Sequence, residues 1–344
     1  MKLKGWKVTT AALAAMALQT LAPAGAMAQD LTPVNVLLPI PEGIAFNPLT
    51  VAREKGFFAE GGIDVSSSVA DGSGYLSQQL VSGNAEFALM GAADAVVAFT
   101  KRDDVRVLFC NQVKNVYRIV AKADSGVTTM AELEGKALGY TEPGGGESKL
   151  VAAAIDEAGL VVNDTITLIP IGGAGPQSLV SLQNDTVQAY SSSFPDVAAL
   201  SVAGIEWVDI TPDKYSNVPG VCMVTTEEFL SSEGGLETAT ALAKGWVRAQ
   251  YYAIENGADA LGTICSVYES ACENQAAADA LFVEAMNLIT PPEGHRPGEL
   301  NPASWQTVVE ILASGDIVDA DLDVTPLISG DNVEAVIAAA YEGH

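Results

Sequence analysis

The residues best placed to do chemistry lie in one stretch, YTEPGGGESKLVAAAIDEAGL, from Tyr140 to Leu160. Gly144, Gly145 and Gly146 run there into a helical pattern. A glycine turn feeding a helix leaves backbone N–H groups without intrahelical partners. The helix dipole adds partial positive charge, so such an end favours an oxyanion or a carbonyl oxygen. The alternative is a plain tight turn with Ser148 as its cap. Neither nucleotide motif fits. A phosphate loop requires Gly-Lys-Ser/Thr, whereas here Lys149 follows Ser148, and Lys149 also stands where the last glycine of a dinucleotide fingerprint belongs. Other reactive constellations are scarce. The two histidines, His295 and His344, have no partner at ligand spacing, so neither a metal site nor a Ser-His-Asp or Cys-His nucleophile is expected. No cofactor is implied.

The N-terminus bears on the compartment. Lys2, Lys4 and Lys7 precede AALAAMALQTLA (Ala11–Ala22), which is too short to span a bilayer, and Ala26-Met27-Ala28 has the small-x-small pattern of a cleaved leader. Cleavage after Ala28 is expected, with no cysteine at the cut to carry a lipid, and a soluble protein of a Gram-negative periplasm results. Removing the leader takes away three lysines and none of the 43 Asp+Glu, so the mature charge lies three below the −26 of the whole chain. Such acidity argues against nucleic acid or anionic lipid as partner and would repel a small anion at long range. It also serves solubility. In an oxidising compartment the four cysteines suggest disulfides. Cys265 and Cys272 close a short loop and are the expected pair, while Cys110 and Cys222 form either a second bridge or two buried thiols.

The elements that must position these residues alternate. Strand patterns at residues 34–40, 63–70, 86–91 and 105–110 are separated by helical patterns at 47–61, 75–83 and from Ala92, with a glycine turn over 71–74. The pattern restarts at NVYRIVAKADSGVTTMAELEG, with strands at 136–140, 165–172, 187–193 and 205–210. From about Glu237 it is helical. This predicts an α/β protein of two lobes, each a sheet flanked by helices: residues 29–121 and 222–344 form the first and 122–221 the second. Two crossings, near Ala121–Ala123 and Gly220–Thr225, make a hinge and a cleft.

Four phrases in order carry a resemblance: PLTVAREKGFFAEGGIDV (Pro48–Val65), QQLVSGNAEFALMGAADAV (Gln78–Val96), TMAELEGKALGY (Thr129–Tyr140) and GPQSLVSLQNDTVQAY (Gly175–Tyr190). The chain resembles the periplasmic solute-binding proteins of ABC importers, in the NMT1/THI5-like and SsuA/nitrate/taurine family. It departs from the last family phrase at Asn184-Asp185, which replace a glycine, and at Gln188, which replaces an acid. The resemblance implies a type II-like periplasmic binding protein fold, a monomeric receptor with no enzymatic activity, and a permease partner in the inner membrane. The implied ligands are sulfonates, nitrate, aromatic acids or thiamin-pyrimidine-like molecules, here a polar, zwitterionic or aromatic solute.

Carried onto this chain, the resemblance implies ligand contacts from Pro41, Glu42, Gly43 and Phe46, then Gly72, Ser73 and Gly74, then Gly91 and Ala92. In the second lobe it implies Thr141, Gly145, Gly146, Glu147 and Ser148, with Gly172, Ser193, Phe194 and Asp196. The N–H groups of Gly146, Glu147 and Ser148 would then grip a charged group. Glu42 and Glu147 would suit a ligand bearing N–H donors or an amine, or Glu147 is only a first-turn acid of its helix. Phe46, Tyr75, Tyr117 and Phe194 either stack on a ring or pack in the core. Arg118, in the hinge run, is either the partner of a ligand carboxylate or sulfonate or one end of an inter-lobe salt bridge. Two other functions compete. One is an exported enzyme related to pyrimidine synthases, which would require iron, a reactive histidine and a cysteine-rich loop where EPGGGES stands. The other is a receptor reporting to a membrane sensor.

Overall fold

The computed structural model of the protein describes residues 1–2, 31–70 and 72–343. The leader features expected between residues 3 and 28, and the cut after Ala28, lie outside the described residues. The first half runs β1 (Thr32–Leu38), α1 (Asn47–Glu54), α2 (Phe57–Glu60), β2 (Ile63–Val69), α3 (Gly72–Val81), β3 (Phe87–Gly91), α4 (Ala92–Lys101) and β4 (Val105–Cys110). The helix expected over residues 47–61 is two helices, because Gly56 sits at φ 75° and interrupts the right-handed turn. Gly72–Gly74, expected in a turn, form the first turn of α3.

The second half contains β5 (Tyr117–Lys122), β6 (Ala137–Tyr140), α5 (Ser148–Glu157), β7 (Thr167–Pro170), α6 (Pro176–Gln183), β8 (Ala189–Ser193), α7 (Phe194–Val202), β9 (Trp207–Asp209) and α8 (Asp213–Ser216). The chain then returns through β10 (Val221–Thr226) and α9 (Glu227–Leu230) into a helical tail. That tail is α10 (Gly235–Glu255), α11 (Gly257–Val267), α12 (Gln275–Ile289), α13 (Pro302–Ser314), α14 (Thr325–Ile328) and α15 (Asp331–Ala340).

The strands form two five-stranded mixed sheets, ordered β2-β1-β3-β10-β4 and β7-β6-β8-β5-β9. The two orders are the same. In each sheet one strand is antiparallel to its neighbours: β10 against β3 and β4, and β5 against β8 and β9. Each of these is the first strand after the chain has crossed from the other sheet. A strand entering from the cleft side must run against strands that end there, which explains its direction. Because β5 already belongs to the second sheet, the first crossing spans residues 111–116, earlier than the sequence pattern places it. The second spans residues 210–220. The crossings are hydrogen-bonded to each other, Asn111 N–H to Val221 O at 2.8 Å and Gly220 N–H to Gln112 O at 3.0 Å.

Helix α10 secures this hinge. Its Trp246 Nε1 donates to Asn111 Oδ1 at 2.8 Å, and Gln250 Nε2 donates to the carbonyls of Cys110 and Asn111 at 3.0 and 2.9 Å. A disulfide joins Cys110 to Cys222 across β4 and β10 at the hinge root, and a second joins Cys265 to Cys272. One apolar cluster extends through both halves. It includes Val96 of α4, Val151 and Ala154 of α5, and Trp305, Val309 and Leu312 of α13.

Candidate functional site

Facing loops of the two sheets enclose a cavity of about 360 Å³. Every parallel strand of a doubly wound sheet delivers its C-terminal loop to the same edge, and ligands bind there. From the first sheet come Pro39–Pro41 after β1, Val69 at the end of β2, and Gly72 and Ser73 at the start of α3. From the second come Thr141 and Glu142 after β6, Gly146 and Glu147 ahead of α5, and the junction of β8 with α7, Ser192 to Asp196. The hinge contributes Gln112, Val116, Tyr117 and Val221. Phe46 and Phe194, both buried, are the aromatic walls.

Of the residues singled out in the sequence, Pro41, Phe46, Gly72, Ser73, Thr141, Gly146, Glu147, Ser193, Phe194, Asp196 and Tyr117 are brought together around this cavity. Others support it from behind. The Gly43 carbonyl accepts from Phe46 N–H at 3.2 Å, and Gly172 bonds Thr141 O through its N–H and Tyr190 OH through its carbonyl. Gly91 N–H donates to Ser73 Oγ at 3.1 Å and Ala92 N–H to Gly220 O at 3.0 Å. Gly74 N–H reaches across the cleft to Gly144 O at 3.3 Å. Tyr75 is 48 % exposed and is not among the lining residues.

Two charged candidates lie elsewhere. Glu42 pairs with Arg53 at 2.8 Å and accepts hydrogen bonds from Ser67 and from Tyr268 OH, the latter at 2.7 Å. Burial pushes its carboxyl upward, but Arg53, Ser67 and Tyr268 outweigh that and hold it below the usual range. Arg118 donates to Asn115 O at 2.6 Å and pairs with Glu284 of α12 at 3.3 Å, so it joins β5 to the helical tail as an ion pair between the halves. Neither lines the cavity.

The glycine loop is engaged with itself. Gly145 N–H donates to Glu142 O and Ser148 N–H to Gly145 O, each at 3.0 Å. The Glu147 carboxylate accepts from Thr141 N–H at 3.0 Å and from the Thr141 hydroxyl. Burial raises its affinity for a proton, and the Thr141 bonds oppose that only in part. Ser148 Oγ is buried without a partner. Behind the loop Lys149 pairs with Asp94 of α4, whose burial pushes it up to about 6 against the pull of that lysine. Tyr117 packs against Gly146 so closely that a Cβ there would lie 1.8 Å from its hydroxyl oxygen.

The profile of the family described as NMT1/THI5 like matches residues 44–260, well over half of the chain. The chain belongs to the NMT1/THI5-like family. No curated protein sequence matches it. Among solved structures, a protein of Bordetella bronchiseptica RB50 superimposes with a TM-score of 0.70 at 21 % identity, covering 89 % of this chain and 97 % of that one. The alkanesulfonate-binding protein SsuA from Xanthomonas axonopodis pv. citri, bound to MOPS, gives 0.65 at 14 % identity, covering 87 % and 99 %. The periplasmic nitrate-binding protein NrtA from Synechocystis PCC 6803 gives 0.66 at 14 % identity, covering 91 % and 90 %. At these identities the likeness establishes the periplasmic binding protein fold.

Within this NMT1/THI5-like chain, the lining residues that sequence reasoning missed include the polar Gln112, Glu142 and Ser192 and the apolar Val69, Val116 and Val221. Glu142 stands in the loop already singled out, beside Thr141. Gln112 had a fainter signal: it is one of the first polar residues after the apolar strand VRVLFC, and a strand end at a cleft is where such a group is presented.

Proposed function

We propose that the protein is the extracytoplasmic substrate-binding receptor of an ABC importer, which closes its two halves on one small organic solute and presents it to a membrane permease. The observation that carries this reading is the cavity between the two sheets, roofed and floored by loops from different halves and walled by Phe46 and Phe194. Burying a solute there couples binding to closure, and closure creates the surface a permease can read. The family membership and the binding proteins among its structural neighbours support the same role. They also support the periplasm as its location, and the Ala26-Met27-Ala28 pattern supports cleavage after Ala28.

The test is calorimetry and thermal unfolding with sulfonates, amino-sulfonates, aromatic carboxylates, pyrimidines, amines and nitrate, on protein refolded to strip any carried-over ligand. A receptor binds one class at one molecule per chain, gains about 2.7 kcal/mol at a hundredfold excess over Kd, and returns the solute unchanged. Chemical conversion of the bound solute would overturn the reading.

A further inference from the structure

The position an anionic ligand would take at α5 is already filled by the chain's own carboxylate. Glu147 accepts from Thr141 N–H and from the Thr141 hydroxyl, while the Gly145 and Ser148 N–H groups close turns. A sulfonate or nitrate arriving there would meet a buried acid, with the Thr141, Gly145 and Ser148 N–H groups already engaged. Asp196, at the β8–α7 junction of the same half, is similarly fixed by Ala174 N–H at 2.8 Å and by the hydroxyls of Ser192 and Ser193. Glu142 adds a third acid, and no Lys, Arg or His stands among the described residues lining the cavity. The nearby cations are turned elsewhere, Lys149 to Asp94 and Arg118 to Glu284.

Gln112 is an independent observation. The residue is among those lining the cavity and is 1 % exposed. Nε2 donates to Ala45 O at 3.1 Å, which fixes the amide, and Oε1 is buried with no partner. A buried carbonyl oxygen left unpaired is costly and is normally satisfied. Here what it lacks is a donor, and the cavity is where a donor can come from.

We propose that the ligand is a small organic cation, an apolar body bearing a protonated amine or amidine, whose N–H groups are received by Gln112 Oε1 and by the carboxylates of Glu147 and Asp196. Phe46 and Phe194 hold the apolar body, and the strongly negative protein attracts such a ligand at long range. The proposal rests on the receptor reading and adds the ligand's charge.

The experiment uses matched probes with one carbon skeleton and three charges: benzylamine and benzamidine, benzenesulfonate and benzoate, and benzyl alcohol, with the corresponding propyl and cyclohexyl sets. Calorimetry is run on the wild type and on the isosteric variants Glu147→Gln and Asp196→Asn, with unliganded melting used to confirm their folding. The expected result is that an amine or amidine binds at one per chain. Each neutralisation weakens it tenfold or more, and neutral alcohols move less than twofold. An anionic ligand has the opposite sign, since removing a carboxylate would tighten it. Binding of a sulfonate or carboxylate with the amines inert overturns the charge assignment and leaves the receptor reading standing. Amine binding that ignores both variants overturns the site. Failure of every probe at 10 mM overturns both.

Discussion

At the scale of single residues, function separates from support by where a charge is already engaged. Arg118 has the fork geometry that suits a ligand carboxylate, and its place in NVYRIV puts it near the hinge. Sequence alone could not decide its partner, because that depends on Glu284, distant in the chain and brought alongside by α12. Arg118→Ala is expected to lower stability by about 1–2 kcal/mol, through the lost bonds to Asn115 O and Glu284. Ligand affinity should stay within about twofold by calorimetry, because the side chain is outside the cavity. A tenfold loss would return Arg118 to the site. Asp94 carries the clearest pH dependence. Burial raises it to about 6 from an ordinary 3.8, while Lys149 and, more weakly, Lys101 pull it down. The folded state therefore binds this proton more tightly than the unfolded chain. Its stabilising contribution is complete below about pH 4 and is lost as the pH rises through about 6. Glu42, held low by Arg53, has the reverse sign. The unfolding free energy of the wild type relative to Asp94→Asn, from urea melts, should accordingly fall between pH 4 and pH 7 by an amount on the order of 2–3 kcal/mol. A flat difference would mean that Asp94 titrates as an ordinary carboxylate.

At the scale of elements, the strands were legible because a buried parallel strand is a continuous apolar run. EFALMG becomes β3, whose five residues are all buried. The hinge was less legible. The sequence pattern restarts at NVYRIVAKA but puts the crossing near its end, at Ala121–Ala123, and only pairing with β8 and β9 places all of β5 in the second sheet. Pairing partners are non-local and leave no mark in a local pattern. The glycine loop was visible as a helix entry, but its role was not, since Gly146 is set by a tyrosine 29 positions away in sequence and packed against it. A methyl group on Gly146 would lie 1.8 Å from Tyr117 Oη and 2.5 Å from Cζ, so either the ring or the loop must move. Gly146→Ala is expected to weaken ligand binding at least tenfold at an unliganded stability cost of about 1–3 kcal/mol. A binding titration beside a urea melt separates the two. Unchanged affinity would show that the loop can withdraw without disturbing the cleft.

At the scale of the whole molecule, the two halves depend on two adjacent crossings, and a covalent bond sits at their root. Cys110 ends β4 and Cys222 lies in β10, so the bridge encloses the entire second sheet, a sequence separation of 112. Cys265–Cys272 encloses a separation of only 7. In the chain-entropy account a cross-link stabilises by restricting the unfolded chain, and the effect grows with the logarithm of the loop. That gives about 4–5 kcal/mol for the long loop and about 2 kcal/mol for the short one. Cys110 and Cys222 are also fully buried, so replacing both by Ala removes packing as well as the bond. Reducing the wild type avoids that confusion only if one bridge is already absent. The informative pair is therefore Cys265→Ala/Cys272→Ala, oxidised and then reduced, with urea midpoints read in both states. The reduced form is expected to lose about 4 kcal/mol relative to the oxidised one. Its affinity for ligand should change much less, because Asn111, Gln112, Gly220 and Val221 still hold the crossings together by hydrogen bonds and α10 still grips Asn111. If reduction removed binding while leaving the protein folded, the bridge would be setting the geometry of the cleft rather than restricting the unfolded chain.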